Sequence, residues 1–384
     1  MATIIKLPDS AGRMSDHRMT GHVSPSVRLP KNATRVVFSA AHVVADPFSA
    51  SEPSVRPAID WAATMAFRRH LDDLGLGIAE AMDTAQRGMG LDWSGAIELI
   101  RRTRSELPDA LVFNGCGTDH LAAVEARSLD DVRRAYFEQL EAIQEFDGRL
   151  IIMASRALAA VARSRDDYIS VYRDVLARCD QPVILHWLGE MFDPALAGYW
   201  GASGFDAAME TALAVIGDDP GKVDGIKISL LDKDKEIAMR RRLPAGVKMY
   251  TGDDFNYPEL IAGDDRGYSH ALLGIFDPLA AAAAHAVAKL GEGDLDAFHA
   301  TLDPTVPLAR LIFRAPTQHY KTGVVFLAWL NGFQTHFVML GGAQAMRPLP
   351  YFVETFKLAD ACGLLREPDL AASRMRKLLA LYGA

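Results

Sequence analysis

Apolar positions in this chain of 384 residues fall into short runs separated by longer amphipathic stretches. From Thr34 onward eight such runs follow one another, at 35–42, 76–82, 110–115, 149–155, 182–187, 223–228, 247–250 and 268–272. Their lengths are those of buried strands. Between them, stretches such as 60–74, 93–107, 130–146 and 166–179 repeat their apolar residues at helical spacing. This alternation predicts βα units around a parallel sheet. Eight units within residues 34–290 predict an α/β fold, a (β/α)8 TIM barrel. A doubly wound open sheet would want a Gly-rich phosphate turn after its first strand, and residues 39–42 (SAAH) are not one. After Leu290 the strand signal ends. Residues 291–384 predict helices broken by Pro and Gly, packed on the barrel as a C-terminal region. Residues 1–33 are polar and predict an extension that wraps the body or stays mobile.

Composition narrows the function classes. Hydrophobic residues make up 49% and charged residues 23% of the chain, values of a globular protein. A formal net charge of −8 without a basic tract argues against nucleic acid or an anionic membrane surface as partner. The apolar stretch 323–342 is interrupted by Asn331, Gln334, Thr335 and His336, so it predicts a buried or interface helix and not a membrane span. Cys116, Cys179 and Cys362 lie far apart, have no metal-type spacing and cannot all pair, which fits a reducing, cytoplasmic compartment. The N-terminus lacks the apolar core of a secretory signal. The apolar C-terminal region predicts a homodimer or homotetramer.

Barrel enzymes place their chemistry at the C-terminal ends of the strands. Polar residues late in the apolar runs are therefore the candidates: His42, Glu80, Asp83, Thr84, Asn114, His186, Lys227, Ser229, Asp253 and Asp254. Lys227 stands out. It interrupts an apolar strand, and alternation places Gly225, Lys227 and Ser229 on one face. If that face is the barrel interior, desolvation lowers the lysine pKa and frees a neutral amine to attack a carbonyl. A lysine that snorkels to solvent or pairs with a carboxylate has the same sequence signature. His186, at the end of the preceding strand, could move protons for such chemistry or serve as a hydrogen-bonded core residue. Glu80 in an apolar strand needs a partner, structural or catalytic. Asp253 and Asp254 either bind substrate hydroxyls or cap the next helix. His42, Glu80 and His186 together could hold a divalent metal, as in a sugar isomerase, epimerase or lyase, although no local ligand spacing supports it.

Several of these segments resemble the dihydrodipicolinate synthase and N-acetylneuraminate lyase superfamily of class I Schiff-base barrels. Residues 223–229 (VDGIKIS) are similar to the strand that carries the imine-forming lysine, and 182–189 (PVILHWLG) to the strand before it. Residues 59–61 with 74–78, 114–117 (NGCG) and 251–254 (TGDD) resemble the first helix with the second strand, the third strand end and the seventh. The order is collinear over about residues 34–290. The resemblance implies a lyase or aldolase of the class I type, with an imine at Lys227 and no cofactor. His186 stands where the family has a proton-relaying tyrosine. Residues 82–86 (MDTAQ) replace the family's carboxylate-binding GTTGE loop and keep only Thr84, while Asp83 would repel a carboxylate. No arginine follows the fifth strand in 189–192 (GEMF). These departures favour a keto sugar or related hydroxylated carbonyl compound over pyruvate, a substrate that suits Asp83, Asn114, Glu190 and Asp253, with Thr84 or Asn114 orienting it. A barrel that has lost its chemistry and only binds a ligand is the remaining alternative.

Overall fold

The computed structural model describes residues 3–52 and 57–384. The chain starts with an antiparallel hairpin, β1 (Ile4–Pro8) and β2 (Met14–Arg18). Eight parallel strands then close into a barrel: β3 (Val37–Ala40), β4 (Gly77–Glu80), β5 (Val112–Cys116), β6 (Arg149–Ile152), β7 (Val183–Leu188), β8 (Val223–Ser229), β9 (Lys248–Thr251) and β10 (His270–Leu273). They pair in chain order, and β10 returns to β3. All eight apolar runs thus become barrel strands, including 268–272. The helices expected at 60–74, 93–107, 130–146 and 166–179 form at Trp61–Asp73, Trp93–Glu106, Leu129–Gln144 and Arg165–Ala177. Asp60, Asp92, Ser128 and Ser164 cap their N-termini through the side chain, which fixes where each helix begins.

Strand alternation sorts the side chains into two environments. Phe38, Ala79, Phe113, Ile151, Ile184, Tyr250 and Leu272 fill the barrel interior. Ile226 and Ile228 of β8 pack outward against the helices. Phe38 meets Phe113 and Tyr250 edge to face, with centroids 5.3 and 5.9 Å apart. Room for these rings comes from glycine: a Cβ on Gly225 would lie 2.7 Å from the Tyr250 ring. The aromatic layer closes the lower barrel, so polar interior residues gather above it.

The C-terminal region is helical, as expected. Its helices share one apolar cluster with the outer face of β3, β4 and β10. Helix Tyr320–Leu330 is buried on every side. The N-terminal segment packs on the body, one of the two outcomes expected for it, and it does so partly as a hairpin. Ile5 and Leu7 bury one face of the hairpin, and Thr20 binds the buried Asp360 through its backbone N–H and hydroxyl. Alternation at Ile5 and Leu7 carried this signal, but the exposed partner β2 has none. Residues 1 and 2 of the extension lie outside the described residues. Among the described residues no helix is long and apolar enough to cross a membrane.

One buried carboxyl makes stability depend on pH. Glu236, on helix Lys233–Arg240, accepts a hydrogen bond from Ser269 Oγ at 2.7 Å, while its other oxygen has no partner. Burial pushes its pKa up to about 8. A carboxyl with a raised folded pKa contributes stability below its unfolded pKa, and loses it as pH rises toward 8. Glu236→Gln should therefore be more stable than the wild type at pH 8, by about 2 kcal/mol, with the gap closing toward pH 5. Urea titrations at the two pH values check this. A constant gap would mean that Glu236 keeps its charge when folded.

Candidate active site

At the C-terminal end of β7 and β8, His186 and Lys227 are register partners. Lys227 faces inward, as alternation with Ile226 and Ile228 requires, and is 8% exposed. Desolvation lowers its pKa, while the nearby carboxylates of Asp254 and Asp83 pull it back up. Both act through charge alone, since neither forms a hydrogen bond with the amine among the described residues. Gly252, just beyond β9, makes room for this side chain: a Cβ there would lie 2.7 Å from Lys227 Cε.

Asp254 is the buried neighbour that matters most. Its Oδ1 accepts the Ile275 backbone N–H at 2.9 Å. Burial nevertheless pushes its pKa up to about 7, so it can both give and take a proton near neutrality. Asp253, for which substrate binding and helix capping were both open, is turned into its own loop. It accepts the Phe255 and Asn256 backbone N–H groups at 2.8 and 3.1 Å, in the segment that leads into helix Tyr257–Ala262.

His186 Nε2 lies 3.2 Å from Ser229 Oγ, and its Nδ1 has no partner. Burial, and then the Lys227 charge, hold its pKa well below the usual imidazole value. His186 is therefore neutral at physiological pH, a hydrogen-bonding group more than a carrier of positive charge. Thr84 shares a 2.8 Å hydrogen bond with the hydroxyl of Tyr320, which reaches the site from the C-terminal region. Gly274 lets the two meet, since a Cβ there would lie 3.1 Å from the Tyr320 ring and 3.3 Å from Thr84 Oγ1. Burial and the charge of Asp83 keep the Tyr320 hydroxyl protonated.

A cleft opens above this cluster, with a volume of about 680 Å3 including its open mouth. His186, Asp83, Arg87, Met153, Arg156 and Asp193 line it. Arg87 is committed to Asp119 through two bonds of 2.8 Å. Arg156 is paired with Asp193.

Three of the residues proposed from the sequence lie elsewhere. Glu80 points outward from β4 and pairs with the buried Arg68 at 2.7 Å. It also accepts bonds from Thr103 Oγ1 and the Ala81 backbone N–H. Asn114 is likewise outward on β5 and donates to the Arg149 carbonyl at 3.0 Å. His42 packs against Phe67 and is held by Asp277 at 2.8 Å. Consequently His42 and Glu80 face away from the cleft that His186 lines, and the three do not converge on one metal position. Among the described residues no group of three His, Cys, Asp or Glu side chains does. For Glu80 and Asn114 the error has one physical cause: a run of four or five apolar residues does not reveal which parity faces inward. His42 shares the inward parity of Phe38 and Ala40 but lies beyond the end of β3, where alternation no longer holds.

Glu80 still affects the site. Ala81 has a left-handed φ of 54°, which L-residues seldom adopt. Glu80 fixes its N–H at 2.9 Å, and the turn that follows presents Asp83 and Thr84 to the cleft. Sequence reasoning missed Tyr320 altogether, because it lies in a region read only as packing.

A family described as "Protein of unknown function (DUF993)" matches residues 5–384. The chain belongs to that family. No curated protein matches the DUF993 chain by sequence. Solved structures do match its fold. YagE, a prophage protein of the dihydrodipicolinic acid synthase family from E. coli K12 in complex with pyruvate, superposes with a TM-score of 0.66 at 13% identity. The match covers 86% of this chain and 99% of that one. Dihydrodipicolinate synthase from Thermotoga maritima gives 0.64 at 15% identity, with 86% and 99% covered. The chloride-inhibited enzyme from Acinetobacter baumannii, complexed with pyruvate, gives 0.63 at 14%, with the same coverage. At these identities the likeness is one of fold, and it agrees with the resemblance seen in the sequence.

Proposed function

We propose that this DUF993 protein is a Schiff-base lyase or aldolase acting on a small hydroxylated carbonyl compound. The observation that carries the reading is the Lys227 amine, desolvated at the C-terminal end of the sixth barrel strand between Asp254 and Asp83. The neutral amine adds to the carbonyl carbon, its nitrogen gives up a proton and the carbonyl oxygen takes one up, which leaves a carbinolamine. A second proton lets that oxygen leave as water, which forms the iminium. The iminium then accepts the electron pair of a breaking C–C bond or of the bond to a departing α-proton, as an enamine; that enamine can in turn expel a protonated β-hydroxyl as water, which breaks a C–O bond. Reprotonation and hydrolysis return the lysine.

Asp254, with its pKa near 7, is suited to carry these protons. Neutral His186, steadied by Ser229, and the Thr84–Tyr320 hydroxyl pair are suited to hold substrate oxygens. Asp83 beside the amine disfavours a carboxylate attached directly to the reacting carbon, as in pyruvate, and favours hydroxyls there. The pyruvate complexes of YagE and the Acinetobacter baumannii enzyme support the wider class of small carbonyl compounds. A keto sugar fits both considerations.

Borohydride reduction in the presence of a panel of keto sugars and 2-keto acids tests the reading. Mass spectrometry should find a reduced adduct on Lys227, strongest with a keto sugar. If no panel member leaves an adduct on that residue, the proposal fails.

Asp254→Asn gives a separate check. It should slow enamine chemistry, read as exchange of the substrate α-hydrogen in D2O, by about 10²-fold or more. It also removes a negative charge that raises the Lys227 pKa. The rise of the borohydride trapping rate with pH should accordingly begin at lower pH than in the wild type. Unchanged exchange would remove Asp254 from the mechanism.

A further inference from the structure

Beyond Arg156 and Asp193 the cleft has a second lobe, which shares only Asp83 and Tyr320 with the site of the imine chemistry. Met89, Leu188, Phe192, Gln318 and Lys321 line it. Asp83, Arg87, Arg156 and Asp193 border both lobes, so a single ligand can extend from one into the other.

Lys321 is the unusual group. It sits in the first turn of the wholly buried helix Tyr320–Leu330 and is 4% exposed. Its Nζ donates to the Gln318 carbonyl at 3.1 Å and contacts Met89 Sδ at 3.4 Å. An ammonium has three N–H donors, and a thioether is a weak acceptor. No carboxylate forms an ion pair with it among the described residues. Asp83 and Asp193 act on it only at longer range, with Arg156 opposing them. Buried charges are ordinarily paired, because an unpaired one is costly. The neighbouring cations differ in this respect, since Arg87 is held by Asp119 and Arg156 by Asp193. Burial pulls the Lys321 pKa down to about 8, which still leaves it mostly charged at neutral pH. The lobe therefore keeps one buried cation with spare hydrogen-bonding capacity.

We propose that this lobe is a subsite for an anionic group, a carboxylate or phosphate, with Lys321 as its principal ligand. Combined with the Schiff-base reading, on which only the orientation rests, it makes the substrate an acidic hydroxylated carbonyl compound. Its anion lies remote from the carbonyl, past Asp83, as in a sugar acid or a sugar phosphate. This also reconciles an anionic substrate with the repulsion that Asp83 exerts next to Lys227.

Calorimetric titration of the full chain with inorganic phosphate, gluconate and neutral xylitol tests the subsite without any imine. At least one anion should bind more tightly than xylitol by tenfold or more, and which one does tells phosphate from carboxylate. Lys321→Met should weaken that binding at least tenfold, while Lys321→Arg restores most of it. Should the methionine variant fail to fold, the wild type answers the same question. The bound anion should then protect Lys321 from acetic anhydride, read by mass spectrometry. Equal binding of all three probes, or unprotected Lys321 at saturating anion, overturns the subsite. Neither result touches the adduct expected on Lys227, so the two proposals fail separately.

Discussion

Lys227→Met should abolish the borohydride adduct and bring α-hydrogen exchange down to the rate in buffer. The loss should be about 10³-fold or more, at least about 4 kcal/mol of barrier. No other residue can supply its function from the same position. Its register partner His186 is held neutral and bonded to Ser229. Methionine keeps the length and volume of the side chain without the ammonium, and a desolvated charge costs stability. The melting temperature of the variant should therefore hold or rise while the chemistry disappears, separating a catalytic role from a structural one. Exchange that survives in the methionine variant would contradict the imine at Lys227. Lys321, an amine that lines the cleft and whose pKa is lowered to about 8, would then be the residue to map for an adduct.

Glu80→Ala should destabilise the fold by about 3–5 kcal/mol, the usual cost of leaving one partner of a buried ion pair behind. Arg68 has no exposure and would keep its charge among carbonyls alone. Its remaining partners are the main-chain oxygens of His42, Thr64 and Ala41. The same substitution frees the Ala81 N–H and the Thr103 hydroxyl. Urea denaturation measures the loss. The double variant Glu80→Leu with Arg68→Met should regain most of it, because no isolated charge is then buried. A catalytic Glu80, the alternative to a structural ion pair that its apolar strand left open, would give the reverse pattern: stability unchanged and activity lost. A smaller effect on exchange is still expected in the stabilised double variant, through the loosened turn that presents Asp83 and Thr84.

The barrel was legible because its signals are local. The cores of runs such as 149–155 (LIIMA) and 182–187 (VIL) are continuously apolar, since a parallel strand is buried on both faces. The capped amphipathic helices between them leave one way to cover both faces. Lys227 was legible for the same reason, as a charge inside such a run. Parity was harder to read. Where both faces are buried, alternation no longer tells inside from outside, and Glu80 and Asn114 were placed on the wrong side of the wall. Lys227 escaped this error because Gly225 and Ser229 flank it on the inner face.

By itself, then, the sequence determined the eightfold βα order, the helical C-terminal region and a lysine at the mouth of the sixth strand. These depend on hydrophobic period and on contacts close in the chain. Only the tertiary structure decided which groups surround that lysine. It brought Asp254 within reach of the Lys227 charge, turned Asp253 into its own loop, and delivered Tyr320 to Thr84 across 236 positions of sequence. Burial sets the pKa values of Asp254, His186 and Lys321. It follows from how the helices close over the barrel, and no periodicity in the chain records it.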